Sequence, residues 1–187
     1  MKEEIFIGVS NRHVHLNEEV YKMLFDEPLE VEKELTQPGQ FASKQKVTLI
    51  ANDYEIEGVR ILGPLRDYCQ VEISHNDALK FKLNPPVRAS GDIQNSEVIT
   101  LKNGDKQVTI YGCIISQRHL HISPEDAQKR NLVNGQKVLL SVTGEKGGIM
   151  ECYVKISDNS PMEIHIDTDD ANAFLIGNDN NNGILIF

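Results

Sequence analysis

Ser10-Asn11-Arg12-His13-Val14-His15-Leu16-Asn17-Glu18-Glu19-Val20 returns in the second half of the chain as Ser116-Gln117-Arg118-His119-Leu120-His121-Ile122-Ser123-Pro124-Glu125-Asp126-Ala127. Both copies read Ser-x-Arg-His-apolar-His-apolar, then a capping residue, then acids. Internal repetition on this scale implies a duplicated structural unit. A β-like run precedes each copy, at 5–9 and 108–115, and a short helix follows each. Asn17 and Ser123 are good N-caps and Pro124 takes the favoured first helical position. The acids fall in the first turn, where they complement the partial positive charge of the helix start. A second pair of segments matches in the same order. Glu72-Ile73-Ser74-His75-Asn76-Asp77-Ala78 lies over His165-Ile166-Asp167-Thr168-Asp169-Asp170-Ala171, so that Glu72 falls opposite His165. Each segment ends a strand-like run and opens a helix.

Working outward, strands are predicted at 46–51, 98–102, 136–142 and 151–156. Turn chemistry lies between them at Pro38-Gly39, Asn103-Gly104-Asp105 and 144–148. The helices are short. The predicted fold is mainly β with short helices: two tandem-repeat β-barrel domains, each capped by short α-helices. The stretch 85–92, opening with Pro85-Pro86, reads as the linker, although it carries Arg88. Residues 178–182 are Asn-rich, and without a terminal Glu they do not make a calcium loop.

The chain has 187 residues, enough to bury a core without disulfide staples. It is too short for a (β/α)8 barrel, which takes about 250 residues. No apolar run approaches the roughly 18 residues that span a bilayer, and Met1-Lys2-Glu3-Glu4-Ile5 carries no signal-peptide pattern. The net charge of −9 argues against nucleic-acid and membrane-surface roles, which need a basic footprint. Any anionic ligand must then be held by local Arg and Lys. Cys69, Cys113 and Cys152 are an odd set with no Cys-x-x-Cys, which excludes a disulfide framework and a zinc ribbon. A reducing, cytoplasmic compartment is the simplest account.

Five of the six histidines, all but His75, fall in two repeated triplets of candidate ligands. His-x-His on a strand places both imidazoles on one face. The candidate ligand sets are His13, His15 and Glu72 in one half and His119, His121 and His165 in the other. Three protein ligands with an open fourth position are the pattern of catalytic zinc; cobalt or iron also suits imidazole and carboxylate donors. Such a metal can polarise a carbonyl, bind an oxyanion or acidify water, and the ligands alone do not choose among these. His75 reads as structural or solvent-facing. Arg60 and Arg66 flank Leu62-Gly63-Pro64 just before the Glu72 strand. An Arg near a metal can grip phosphate bidentately, and an ordinary solvated Arg is an equal reading. Residues 144–148 lack the Gly-Lys-Ser/Thr of a phosphate loop, and no Gly-x-Ser-x-Gly elbow occurs.

Six segments in order resemble the PduL-type phosphotransacylases, the phosphate propanoyltransferase family. They are Ser-Asn-Arg-His-Val-His-Leu at 10–16, Leu-Thr-Gln-Pro-Gly-Gln-Phe-Ala at 35–42 and Arg-Ile-Leu-Gly-Pro-Leu-Arg at 60–66. The others are Gln-Val-Glu-Ile-Ser at 70–74, Arg-His-Leu-His-Ile-Ser-Pro-Glu-Asp-Ala at 118–127 and His-Ile-Asp-Thr-Asp-Asp-Ala-Asn-Ala at 165–173. The resemblance implies an acyltransferase that exchanges propanoyl or acetyl groups between coenzyme A and inorganic phosphate; with no cysteine inside the metal motifs, direct phosphate attack on the thioester is favoured over a covalent acyl-enzyme. It implies one barrel from 12–116 and a second from 117–187, the latter completed by the N-terminal strand 1–11. It implies two zinc ions per chain, one on His13, His15 and Glu72 and one on His119, His121 and His165. Arg66 matches the phosphate-contacting, catalytic arginine. Ser10, Lys33, Arg60, Leu62 and Asn172, with His165 close by, match the coenzyme A site; for Lys33 the match is only its spacing before Gln-Pro-Gly-Gln.

The resemblance also implies a homodimer with small-molecule substrates. Family members housed in bacterial microcompartments often carry an N-terminal amphipathic extension, and this chain begins directly at its first strand. A free cytoplasmic enzyme of acetate metabolism and a propanediol-degradation enzyme in a microcompartment lumen, among shell or core proteins, both stay open. Two other readings stand beside the transferase: a zinc-dependent hydrolase of acyl-CoA or a related substrate, and a non-catalytic CoA-binding module. Open three-ligand sites weigh against the module, because structural zinc is normally closed by four ligands.

Overall fold

A computed structural model describes residues 2–177 and 180–187. In chain order the first half carries β1 (Lys2–Ser10), β2 (His13–His15), α1 (Glu18–Leu24), β3 (Val31–Glu34), β4 (Phe41–Ala51), β5 (Tyr54–Gly63), β6 (Gln70–Ile73), α2 (His75–Phe81), β7 (Val87–Arg88) and β8 (Glu97–Asn103). The second half carries β9 (Lys106–Ser116), β10 (His119–Ile122), α3 (Pro124–Lys129), β11 (Lys137–Val142), β12 (Gly148–Ile156), β13 (Glu163–Asp167), α4 (Thr168–Phe174) and β14 (Asn182–Ile186). The fold is mainly β with short helices, as the turn spacing and alternation predict. No described helix is long and apolar enough to cross a membrane.

Two compact units result. The first comprises Arg12–Leu35 and Gly39–Ser116; the second comprises Met1–Asn11, Thr36–Pro38 and Gln117–Phe187. In the first unit β4-β5-β2-β6-β9 is closed by β8, which pairs with both β4 and β9, while β3 and β7 extend from β4 and β9. The second unit is the closed barrel β1-β13-β10-β12-β11-β14.

The pairings repeat. β2 lies antiparallel to β6 and parallel to β5, and β10 lies antiparallel to β13 and parallel to β12. β9 runs parallel to β6 and antiparallel to β8; β1 runs parallel to β13 and antiparallel to β14. The first strand of each repeat therefore completes the barrel of the other repeat.

Alternation explains the strands. In β4, Ser43, Gln45, Val47 and Leu49 are buried while Lys44 and Lys46 face solvent. In β11, Val138, Leu140 and Val142 point inward. Each unit has its own core: Leu16, Leu24, Leu49, Ile61 and Phe81 in the first, and Ile7, Leu120, Ile122, Ile164 and Leu185 in the second. The β8–β9 hairpin turns through Gly104, whose φ of +57° is readily adopted without a Cβ. Asn17 and Ser123 cap α1 and α3 through the amides of Val20 and Asp126, and Ser74 and Asp167 cap α2 and α4 in the same way.

One expectation is corrected. Residues 85–92 are not a linker between units but part of the first unit, where β7 pairs with β9 through Val87 opposite Ile115. The two prolines favour an extended backbone, and the Pro86 carbonyl accepts the Ile115 amide at 3.0 Å. Of the Asn-rich 178–182 stretch, residues 178 and 179 lie outside the described residues. The three cysteines are buried and form no disulfide.

Two candidate metal centres and their supporting residues

In the first unit, the antiparallel β2–β6 register sets His13 opposite Glu72 and His15 opposite Gln70. The candidate ligand atoms of His13, His15 and Glu72 all lie within 4.8 Å of one another, and all three residues are buried. His13 Nε2 is 3.6 Å from Glu72 Oε2. His15 Nδ1 faces the Leu62 carbonyl at 3.3 Å. A carbonyl can only accept, so the proton sits on Nδ1 and the Nε2 lone pair stays available to a metal. Burial, then the charges of His13 and Arg66, hold the His15 pKa well below the usual imidazole value; the neutral ring is the ligating form. Burial alone would raise the Glu72 pKa, but charge and hydrogen bonding from His13, the charge of His15 and a hydrogen bond from Ser116 hold it well below the carboxylate range.

In the second unit, β10 and β13 set His119 opposite His165 and His121 opposite Glu163. His119, His121 and His165 form the corresponding group. His119 Nε2 and His121 Nε2 are 3.0 Å apart, and the ring centroids of the three residues are separated by 4.6, 4.7 and 5.5 Å. His119 Nδ1 donates to the Gln117 carbonyl at 2.7 Å, which again leaves Nε2 as the lone-pair nitrogen. Glu163 Oε1 is 3.0 Å from His165 Nε2 and accepts from Thr36 Oγ1 at 2.6 Å and from Gln37 Nε2. Thr36 and Gln37 belong to the short segment that joins this unit. Burial would raise the Glu163 pKa; the bonds from His165, Thr36 and Gln37 and the charge of His165 lower it.

Gly8 stands beside His165 in the β1–β13 register, where a Cβ would lie 2.9 Å from His165 Cδ2. In the other barrel the matching neighbour of Glu72 is Ile114. The larger imidazole thus requires the residue without a side chain. Gly8→Ala displaces the ring and weakens metal binding at this centre about 10–100-fold, the range for disturbing a ligand's support. Metal retention after dialysis against a weak chelator measures this; wild-type retention would show that the ring has room. Both donor sets are nitrogen and oxygen without thiolate, and three donors leave an open position. They fit a divalent ion such as zinc.

The arginine before each His-x-His makes the same bidentate clamp. Arg12 Nε and Nη2 bind Asp77 at 2.6 and 3.0 Å, and Arg118 Nε and Nη2 bind Asp170 at 2.8 and 2.7 Å. Each clamp ties the His strand to the helix that follows the third ligand. All four residues stand in the matched segments at shared offsets, which are the only sequence signal for the clamp. The Asp77 side chain is 1% exposed, with Lys80 Nζ at 3.6 Å as its second cation. Arg12→Leu costs about 3 kcal/mol, the lower end for breaking a buried pair, because Arg12 is 31% exposed and Lys80 remains. Denaturant unfolding checks this, and a loss below about 1 kcal/mol would reduce the clamp to a surface pair.

Arg66 follows the cis Gly63–Pro64 bond, and its backbone amide donates to the Leu16 carbonyl at 2.8 Å. Its Nη1 donates to the Tyr68 hydroxyl and to Ser90 Oγ, the latter at 3.3 Å. Gln70 Nε2 donates to Ser90 Oγ at 3.0 Å and to Glu72 Oε1 at 2.6 Å. Tyr68, Arg66, Ser90, Gln70 and Glu72 are thus one connected network, and nothing in the spacing of Tyr68, Gln70 and Ser90 along the chain points to it. Of the other candidates in this unit, Leu62 supplies its carbonyl to His15. Arg60 is turned to Glu32 and the Ser43 carbonyl, and Lys33 is exposed on β3. In the second unit Ser10 ends β1 opposite Asp167, and Asn172 is exposed on α4. His75 is exposed at the start of α2.

A family model described as phosphate propanoyltransferase matches residues 6–177. Curated proteins of that name are similar along most of the chain. One from Shewanella putrefaciens is 42% identical over 171 residues, covering 89% of this chain and 81% of that protein. One from Thermotoga maritima is 39% identical over 188 residues, covering 98% and 88%. One from Salmonella typhimurium is 39% identical over 171 residues, covering 89% and 81%.

Proposed function

The chain belongs to the phosphate propanoyltransferase family and is an acyltransferase, and from that premise we propose that it interconverts acyl-CoA plus phosphate with acyl phosphate plus CoA, using two zinc ions and accepting acetyl or propanoyl groups. The observation that carries this reading is the pair of three-donor groups, one of them joined to Arg66 through Ser90 and Gln70. His13, His15 and Glu72 would hold one ion, and His119, His121 and His165 the other. A divalent ion bound there supplies Lewis-acid charge to the thioester carbonyl and to the attacking anion.

The protein's own part is positioning. Arg66 grips phosphate with its guanidinium fork and balances its charge, which aligns an oxygen for attack on the thioester carbon. The C–S bond breaks as the new C–O bond forms, and CoA leaves as a thiolate. A thiol pKa around 8.5 makes that departure feasible without a dedicated acid. No cysteine is suited to form an acyl-enzyme: burial pushes Cys113 and Cys152 up to about 12 and raises Cys69 as well. In this reading Lys33, Arg60 and Leu62 of the first unit, and Ser10, His165 and Asn172 of the second, are each coenzyme A contacts on the family resemblance. A cytoplasmic homodimer completes it, on the family resemblance.

The test is release of free CoA thiol from acetyl- and propanoyl-CoA, with and without phosphate, on protein of known metal content. Phosphate-dependent release that chelation abolishes and zinc restores is the expected result. Release without phosphate would make the protein a hydrolase. Release that survives chelation would remove the metal from the reaction, and no release from folded, zinc-replete protein would leave a binding module.

A further inference from the structure

We propose that the Ser90 hydroxyl is a second phosphate-contacting group, donating a hydrogen bond to an oxygen of the anion that Arg66 grips. The inference rests on the transacylase reading and follows from counting donors and acceptors. A serine hydroxyl has one proton to donate and two acceptor positions. Both acceptor positions of Ser90 are taken, by Arg66 Nη1 at 3.3 Å and Gln70 Nε2 at 3.0 Å. A guanidinium cannot accept a proton. The orientation of the Gln70 amide is fixed as well: its Oε1 receives the Gly91 amide at 2.7 Å, so its NH2 end must face Ser90 and the Glu72 carboxylate. Gln70 is fully buried, so the amide is held on every side.

The Ser90 proton therefore cannot be spent on either neighbour, and none of the described residues accepts it. Ser90 is half-buried and reachable by a ligand. A hydroxyl that already accepts two hydrogen bonds, one from a cation, is polarised into a stronger donor. Arg66 is in the matching state. Tyr68 and Ser90 engage its Nη1, which leaves the Nε and Nη2 donors as an open fork for two anion oxygens. A donor hydroxyl beside an open guanidinium fork fits an oxyanion with more than two oxygens. Inorganic phosphate has that shape, and a carboxylate does not.

The experiment compares metal-replete wild type, Ser90→Ala and Ser90→Thr in initial-rate assays with phosphate and acyl-CoA varied separately. Ser90→Ala is expected to raise the phosphate KM about 10- to 100-fold, the worth of one hydrogen bond to a charged group. The acyl-CoA KM and the metal content stay within about twofold of wild type on the same argument, and Ser90→Thr restores the phosphate KM. A phosphate KM close to wild type in Ser90→Ala overturns the proposal. So does an equal rise in both KM values with loss of metal, because the hydroxyl would then only be supporting Gln70 and Glu72. Should Ser90→Ala fail to fold, Ser90→Cys keeps the volume with a weak donor and is expected to show the same selective rise. If wild type itself shows no phosphate-dependent release, the transacylase reading has failed, which this comparison separates from a failure of the Ser90 assignment.

Discussion

Arg66→Ala is expected, on the proposed reading, to lower kcat/KM for phosphate by about 10²–10³-fold, the effect of deleting one preorganised donor to a reacting oxyanion, and to leave the metal content per chain unchanged. The two halves of this expectation have different structural causes. The side chain touches Tyr68 and Ser90, not His13, His15 or Glu72, so its removal leaves all three donors in place. What is lost is the fork that pairs with two anion oxygens at once. Arg66→Lys keeps the charge without the fork, and recovers only part of the loss. Initial rates across a phosphate series, with metal per chain measured on the same samples, decide the matter. Wild-type phosphate kinetics in Arg66→Ala would remove Arg66 from the phosphate site.

On the proposed reading, His119→Ala and Glu72→Ala are each expected to lose about one metal ion per chain, from different centres, and each to abolish turnover. A ligand deletion must exceed the roughly 10–100-fold effect of losing an outer partner, so stoichiometry should fall in steps. His119 contributes one of three nitrogens and is aimed by its bond to the Gln117 carbonyl. Glu72 contributes the only carboxylate of its group, and it also accepts from Gln70. Its deletion costs stability as well, about 1–3 kcal/mol for the buried amide left without that acceptor. The double variant is expected to bind neither ion. Unchanged metal content in either single variant would dissolve that centre.

The side-chain groupings were legible because they are local in a repeat. His-x-His places two rings on one face by strand alternation alone, and aligning the second matched segments supplied Glu72 and His165. The fold class was legible for a related reason, since hydrophobic alternation and turn residues mark most strands without reference to partners. The rest depends on contacts that leave no spacing in the chain. The Arg12–Asp77 clamp joins residues 65 apart, and the Glu163 bonds to Thr36 and Gln37 span 127 and 126 residues. β3 carries no sequence signal, because Val31–Glu34 is exposed throughout and shows no alternation. β7 was hidden by Pro85-Pro86, whose composition reads as a break although its extended backbone suits a sheet edge. Ser90 was invisible because its role comes from which of its hydrogen-bonding positions are already filled.

The placement of β1 also bears on how the protein emerges from the ribosome. The first unit ends at Ser116, so all its staves exist once that residue has been made. The other barrel needs β1 at one end of the message and β14 at the other, because Lys2 pairs with Ile186. At synthesis rates of roughly 5–20 residues per second, β1 waits on the order of ten to thirty seconds for its partners. Gly8, which makes room for the His165 ring, arrives with that early strand. The His13 centre can therefore form once β6 has been made, whereas the His165 centre waits until β13 has been made and the early strand has paired with it.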